Sequence, residues 1–500
     1  PIDADRQRSR RTLEIEAVEG PVTLESEPND DPANATPMSA PGNAAGRICP
    51  TDPGRSADSG RSADSGRFAD SGRSAVAQGD VDLYRIRVRA GEPWIVETRA
   101  ARRGSPCDTR IDVLEPDGHP VPRVLLQAVR DSYLTFRGVD SNQVGDFRLK
   151  NWEEMELNQF VYIQGEVIKL FRAPQGPDSG FLAYGIEGRR RMYFNTSASV
   201  HALDAPCYVV EPHPPGSTLV ANGLPVFEVD TTNDDDGDRR LGSDSRLTFI
   251  PPRDGEFLVR VVDTSGRGGE RYSYRLTVRA ANPGFRASVD AREIAVAAGS
   301  GKSFVVRAER IDGFDGPIQV DFEGLPPGFT VSSPIEIQAG HLEASGVLFA
   351  AADAVQPSDE VLSKLTAKAS AEVNGSKVVQ PVQAMGKVRL EPKPKLLVRL
   401  EAAEGSDEIS IAPGTTVPAR LRIERNGHDD LVTFQVENLP HGVIVDDIGL
   451  SGVLIRKGEN ERQIFLTAAK WVGSTVRLCH AVENQAGGQA SAPVRLRVRG

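Results

Sequence analysis

Acidic and amide side chains recur at short intervals near the start of the chain: Glu25, Glu27, Asn29 and Asp30, within ESEPND. A hard cation takes about six to eight oxygen ligands, and an extended stretch with acids at alternate positions can wrap several of them around one calcium ion. Two further carboxylates, Asp80 and Asp82, stand at the head of a strand-like run, GDVDLY, and would complete such a shell. The competing reading is a solvated acidic linker. What separates the two is whether the fold brings 25–30 against 80–82.

A second acidic loop runs from Asp230 through Asn233, Asp234, Asp236 and Asp238. If Gly237 were the turn glycine of an EF-hand loop, the first ligand position would fall on Thr232 and the twelfth on Ser243, where a bidentate glutamate is required. The regular loop therefore fails, leaving an irregular calcium site or a solvated hairpin loop.

Catalytic patterns are weaker. The run PDSG at 177–180 echoes a serine nucleophile but lacks a matching histidine and aspartate, and a hydroxyl without its base is inert. Gly299, Gly301, Lys302 and Ser303 echo a phosphate-binding loop, yet Val296 replaces its leading glycine, so a strand connection is expected. His201, Cys207 and His213 match no zinc spacing and read as structural. Seven histidines in 500 residues leave little material for imidazole acid–base chemistry.

The elements that must position these groups read as strands. The chain is long enough for several cores, and 48 glycines with 35 prolines favour turn-rich β structure. A net charge of −11 argues against nucleic acid, whose affinity rests on clustered Lys and Arg. No stretch approaches the roughly 20 apolar residues of a membrane span. No signal peptide heads the chain, and the start at Pro1 leads us to expect a targeting segment that was removed or lies upstream. The four cysteines, Cys49, Cys107, Cys207 and Cys479, form no CxxC pair. Cys107 and Cys207 would form a disulfide if the fold brought them together; free thiols are the alternative.

Residues 1–20 read as an N-terminal extension with one strand over 12–17. The hexad repeat at 54–75, GRSADS in near-identical copies, cannot bury a core and is expected to be a disordered loop insertion. Strand patterns follow at 82–89, 94–100, 110–114 and 133–136, then at 247–250, 256–262 and 272–278. DSYLTF at 131–136 recurs as DSRLTF at 244–249, which implies two similar hairpins. A structured insertion at about 150–240 carries strand runs of its own, so 21–280 is expected to be one enlarged domain. Two units follow, 285–392 and 393–500, with matching corners GLPPG and NLPHG, and EPKPK at 391–395 reads as a stiff linker between them.

ESEPND, GDVDLYRIRV, RRGSPCDTRIDVLEPDG, DSYLTF and SDSRLTFIPPRDGEFLVRVVDTSGRGGERYSYRLTV resemble the bacterial pre-peptidase C-terminal domain, a β-sandwich of secreted proteins related in pattern to the collagen-binding modules of clostridial collagenases. The resemblance implies a calcium site held by Glu25, Glu27, Asn29 and Asp30, with Asp82 and, more loosely, Asp80. This chain departs from the family in the hexad insertion, in Cys107 at a usually aliphatic position and in the 150–240 segment. It has no tyrosine cluster to carry over a collagen-contacting surface. The two later units resemble bacterial immunoglobulin-like modules.

The fold expected is thus all-β, an enlarged jelly-roll-like sandwich followed by two immunoglobulin-like sandwiches. The function expected is a non-catalytic, calcium-stabilised binding or structural segment, secreted, periplasmic or at the cell surface. Its partners would be an extracellular protein, a polysaccharide, or a catalytic domain of a longer chain. The alternative places a carbohydrate- or peptide-binding site, or less readily a hydrolase, in 150–240, where Trp152, Tyr162, Phe171, Tyr184, Tyr193 and Phe194 could stack on a ligand. A peptidase inhibitor or propeptide is a third class.

Overall fold

A computed structural model of the chain describes residues 20–49, 79–137, 144–145, 147–173, 180–186, 188–238, 240–402, 406–446, 452–485 and 487–500. The expected strand at 12–17, the hexad repeat and the serine of PDSG lie outside these residues. Strand accounts for 52% of the structure and helix for 3%, so the class is all-β. The chain divides into two units, 1–281 and 282–500.

The first unit contains a sandwich of two five-stranded sheets. One runs in the order Val22–Leu24, Gly42–Arg47, Ser273–Ala280, Trp94–Arg99, Arg246–Phe249; the other runs Thr232–Asn233, Thr109–Leu114, Gly255–Asp263, Asp82–Val88, Thr36–Pro37. Period-two alternation sends Phe257, Val259 and Val261 inward, where they meet Tyr84, Ile111 and Phe249. Leu258, on the opposite face of the same strand, is buried with Leu83 and Leu114, which explains why FLVRVV reads as a nearly continuous apolar run.

A second, seven-stranded sheet is built around the sixteen-residue strand Pro122–Arg137, which pairs with Pro206–His213, Val226–Asp230 and Phe147–Leu149. Both faces are covered, one by a core including Leu134, Val161 and Ile168, the other by Leu126, Tyr162 and Val167. The extra structure therefore starts at Pro122, not near 150.

The two similar hairpins inferred from DSYLTF and DSRLTF are not both present. The first copy lies inside the long strand and turns into Phe147–Leu149 of the same sheet. The second lies in Arg246–Phe249 of one sandwich sheet and continues into Gly255–Asp263 of the other. The difference is physical: Asp244 is fully buried and accepts from the N–H groups of Ala100 (2.7 Å) and Ala101 (2.8 Å), whereas Asp131 is exposed in mid-strand.

The second unit holds two sandwich modules with separate cores, one around Phe304, Ile318 and Ile335, the other around Leu421, Phe434 and Leu466. The matching corners place Gly328 and Gly442 at φ +81° and +87°, a region that glycine enters without strain. The modules are docked and not strung on a stiff linker. Strand Gln489–Ala490 of the second pairs with the start of Gly301–Ile311 of the first, at Gly301↔Ala490 and Lys302↔Gln489, so one ten-stranded sheet runs through both. Val347, Val482 and Ala490 form a small core at this junction. The residues that echo a phosphate loop serve the same joint: Lys302 Nζ donates to Gly487 O (2.7 Å) and Ser303 Oγ to Glu437 Oε2 (2.5 Å).

Candidate metal centre

The ESEPND segment crosses one end of the sandwich. It leaves Val22–Leu24, which pairs in parallel with Gly42–Arg47, and reaches Thr36–Pro37, which pairs in parallel with Asp82–Val88 of the opposite sheet. Its side chains are thereby held over the head of the strand that begins at Asp82. Glu25 accepts from the Arg47 N–H with both carboxylate oxygens (3.0 and 2.8 Å), and Glu27 Oε2 accepts from Asn29 N (3.0 Å). Asp80 Oδ2 accepts from the Cys49 N–H, and Asp82 Oδ2 accepts from the Tyr274 hydroxyl (2.5 Å). Tyr84 and Tyr274 share a 2.8 Å hydrogen bond, and the Tyr84 hydroxyl also reaches Glu25 Oε2 (3.4 Å).

The 25–30 segment thus lies against the head of the strand that begins at Asp82, with Asp30 beside Asp80. Asn29 and Asp82 are fully buried. With the Asn29 amide oriented to satisfy its neighbours, its nitrogen donates to Asp82 Oδ1 (3.2 Å) and to the Val81 carbonyl oxygen (3.3 Å).

The carboxyls crowd one another. The Asp82 carboxyl is pushed up to about 9, first by burial and then by the charge of Glu25, with Asp80 and Glu27 adding to it against the Tyr274 hydrogen bond. Burial also raises Glu25, with Glu27 and Asp80 contributing, and raises Asp80, with Asp30 contributing. Crowded, desolvated carboxyls hold their protons unless a cation replaces them. The donor set is almost entirely oxygen, which suits calcium.

Gly46 makes room for this arrangement. A Cβ built there would overlap Glu25 Oε2 and lie 2.5 Å from the hydroxyls of both Tyr84 and Tyr274. Gly46→Ala is therefore expected to destabilise the sandwich by about 1–3 kcal/mol, read as a lower midpoint in chemical denaturation, because the groups it meets are themselves packed and hydrogen-bonded.

The second acidic loop uses its side chains differently. Asn233 Nδ2 donates to Arg246 O (3.0 Å), and its Oδ1 accepts from Asp235 N (3.0 Å) and Ser197 Oγ (2.7 Å). Asp234 accepts from the same Ser197 hydroxyl. Asp236 accepts from the N–H groups of Asp238 (3.3 Å) and Arg240 (3.0 Å), Asp238 pairs with Arg191 Nε (3.0 Å), and Asp230 ends the strand Val226–Asp230. These contacts hold the loop to itself and to Ser197, Arg191 and Arg246 beside it.

All four cysteines are free thiols, which removes the Cys107–Cys207 disulfide. Cys107 belongs to the sandwich core and Cys207 to the core of the second sheet. His201 Nε2 contacts Glu166 Oε2 (2.7 Å), and Glu166 is held from the other side by Arg190 Nε (2.8 Å), a buried cluster that sequence reasoning missed. The clue was an acid inside the apolar run VYIQGEVIKLF. The aromatics of 150–240 pack on their neighbours: Tyr162 stacks on Phe227 (4.0 Å), Phe171 meets Tyr184 (5.1 Å), Tyr193 and Phe194 flank Phe160, and Trp152 lies under Arg148.

Neither a family model nor a curated protein matches the chain. Among solved structures it is similar to the surface layer protein SbsC, domains 4–9, at 13% identity over 69% of this chain and 48% of that one, with a TM-score of 0.18. It is also similar to the D0-D1 domain of intimin (13% identity, 42% and 97% covered, TM-score 0.17). A third likeness is to the Clostridium thermocellum CbhA fibronectin(III)-like modules (14% identity, 43% and 93% covered, TM-score 0.13). Superposition this partial transfers nothing from those proteins to this chain. Among the described residues, no helix is long and apolar enough to cross a membrane.

Proposed function

We propose that this chain is a non-catalytic, calcium-stabilised binding or structural segment of a secreted or cell-surface bacterial protein, resembling the pre-peptidase C-terminal domain in its first sandwich. The observation that carries the calcium reading is the gathering of carboxylates at one end of the sandwich: Glu25 and Asp82 share the hydrogen-bonded Tyr84–Tyr274 pair, with Glu27 and Asp80 close enough to act on both and Asp30 beside Asp80. Calcium bound there would tie the linker that crosses the sandwich end to both sheets. Its role is to rigidify, and the docked modules of the second unit would present a surface to an extracellular protein, a polysaccharide or a catalytic domain of a longer chain. The exported setting is supported by the sequence resemblance.

Calcium added to the chelator-stripped full chain at about a hundred times its Kd is expected to add about 2.7 kcal/mol to the stability of the part that binds it, raising its melting temperature by several degrees. Asp82→Asn should lose most of that shift while still folding, since the amide keeps the size of the side chain and is neutral like the protonated carboxyl. An unchanged melting temperature on adding calcium to the unaltered chain would end the calcium reading.

A further inference from the structure

The N-x-Ser/Thr signal for an N-linked glycan occurs three times in the chain, at Asn34-Ala35-Thr36, Asn195-Thr196-Ser197 and Asn374-Gly375-Ser376. A transferase must reach both the asparagine amide and the hydroxyl two residues on, and the fold closes two of the three. Thr36 is 3% exposed and its hydroxyl accepts from Ser26 N (3.3 Å). Asn195 spends its amide on the backbone of Thr248, donating from Nδ2 to the carbonyl oxygen (3.0 Å) and accepting at Oδ1 from the N–H (3.2 Å). Ser197 Oγ donates to Asn233 Oδ1 (2.7 Å).

The third copy stands open. Asn374 and Gly375 form the two-residue turn between Thr366–Val373 and Ser376–Val382, at φ +50° and +74°, the mirror-image turn that Asn-Gly favours. Glu372, Asn374, Gly375 and Ser376 are all exposed, and a Cβ built on Gly375 would meet nothing within 4 Å. Ser376–Val382 is the edge strand of a four-stranded sheet, so the turn can open by releasing the single pair Val373↔Ser376 at its end. Asn374 alone also has an acid two residues before it, Glu372, where Asn34 has Pro32 and Asn195 has Tyr193. An acid at that position is the further element that bacterial oligosaccharyltransferases take in their acceptors.

We infer that Asn374 is an acceptor site for an N-linked oligosaccharide. The inference rests on the exported setting proposed above, because such transfer takes place outside the cytoplasm, and it is independent of calcium. The donor is an oligosaccharide carried on a lipid diphosphate. A bond forms between Asn374 Nδ2 and the first sugar carbon, and the bond from that carbon to the diphosphate oxygen breaks. The lipid diphosphate leaves with the electron pair and one amide proton passes to base, with no change of oxidation state. A glycan at this tip would stand beside the open edge of Ser376–Val382 and hinder its pairing with a strand of a second chain.

The test uses the purified, folded full chain with a purified bacterial oligosaccharyltransferase and a lipid-linked oligosaccharide. Intact mass is expected to rise by one oligosaccharide per chain, and the addition should map to the tryptic peptide 369–377, ASAEVNGSK. Asn374→Gln and Ser376→Ala should each lose the addition, and Glu372→Gln should lose most of it. Ser376→Ala leaves both turn residues in place, so its loss cannot be ascribed to a disturbed hairpin.

No added mass on the folded chain would overturn the inference. So would an oligosaccharide at Asn34 or Asn195 in place of Asn374, or an addition that survives Asn374→Gln or Ser376→Ala. The exported setting fails separately: it would be refuted by finding the native chain only in the cytoplasm, which leaves the outcome of the purified reaction unchanged.

Discussion

Replacing Glu166 with alanine is expected to cost the second sheet of the first unit about 3–5 kcal/mol, the largest effect of any single side chain outside the apolar cores. Glu166 and Arg190 are 0% and 1% exposed, and removing the carboxylate would leave a guanidinium buried without its counter-charge. The same carboxylate accepts from Ser199 N (3.0 Å) and contacts His201 Nε2, so Arg190, Ser199 and His201 lose their common acceptor at once. His201 Nδ1 is buried and has no partner, so without Glu166 the imidazole keeps only the long contact of Nε2 with Ser199 Oγ (3.5 Å). Chemical denaturation followed through Trp152, which packs against this core, reads the loss. Glu166→Gln should cost less, since it keeps the shape and part of the hydrogen bonding.

A pH dependence follows from the same cluster. Burial alone would raise the Glu166 carboxyl, but hydrogen bonds from His201 and Arg190 and the charge of Arg190 outweigh it and hold the group below its ordinary range. A carboxyl depressed in the folded state contributes stability above its unfolded value and loses it as pH falls through the folded one. The unaltered protein should therefore lose stability faster on acidification than Glu166→Gln does. Parallel acid titrations of the two proteins that coincide would rule this out.

How much of this was legible in the sequence depended on range. The strands expected at 82–89, 94–100 and 256–262 are found as Asp82–Val88, Trp94–Arg99 and Gly255–Asp263, because short runs of β-branched and aromatic residues bounded by turn residues are a local signal. The long strand from Pro122 was visible only at its end, 133–136. Its central stretch, LLQAVRD, buries Leu126 and Ala128 on one face and leaves Val129 and Asp131 exposed on the other, but Leu125 and Val129 on the open face blur the alternation in the sequence, and its partners come from as far away as residue 230. The likeness of DSYLTF to DSRLTF misled for a related reason. The six letters are the same kind of strand, and only the distant N–H groups of Ala100 and Ala101 make Asp244 a buried acceptor.

The candidate site divides along the same line. The acids at 25–30 and at 80–82 were readable from spacing, since each group sits on one short segment. Gly46, Tyr84, Tyr274 and Cys49 were not, because their relevance lies in contacts between distant segments: a missing Cβ that admits Glu25 and two hydroxyls, and a Cys49 N–H given to Asp80. His201 was weighed as a partner of Cys207 and His213 because those were near in sequence. Its actual partner, Glu166, is 35 residues away.

The docking of the two modules in the second unit had no local trace, and Arg477 tests what holds them. It is 5% exposed and lies on Thr475–Glu483 of the second module. Its guanidinium donates from Nη2 to the Glu336 carbonyl oxygen and to Asn438 Oδ1, both at 2.7 Å, and pairs through Nη1 with the Glu336 carboxylate (3.3 Å). Glu336 belongs to the strand Ile335–Ile337 of the first module, so one side chain joins both. Arg477→Ala would leave these acceptors without their donor. The Glu336 side chain is 30% exposed and water can reach it, so the cost falls below that of a fully buried pair, at about 2–4 kcal/mol. Arg477→Lys should recover little, because a single ammonium cannot span the forked acceptors. If the arginine holds the joint, hydrogen exchange in the full chain should accelerate together in Gly301–Ile311 of the first module and Thr475–Glu483 of the second, whose sheets meet at Gly301↔Ala490. Acceleration confined to the second module would mean that Arg477 supports only its own sandwich and that the small Val347, Val482 and Ala490 core, with the strand pairing beside it, is sufficient to keep the modules together.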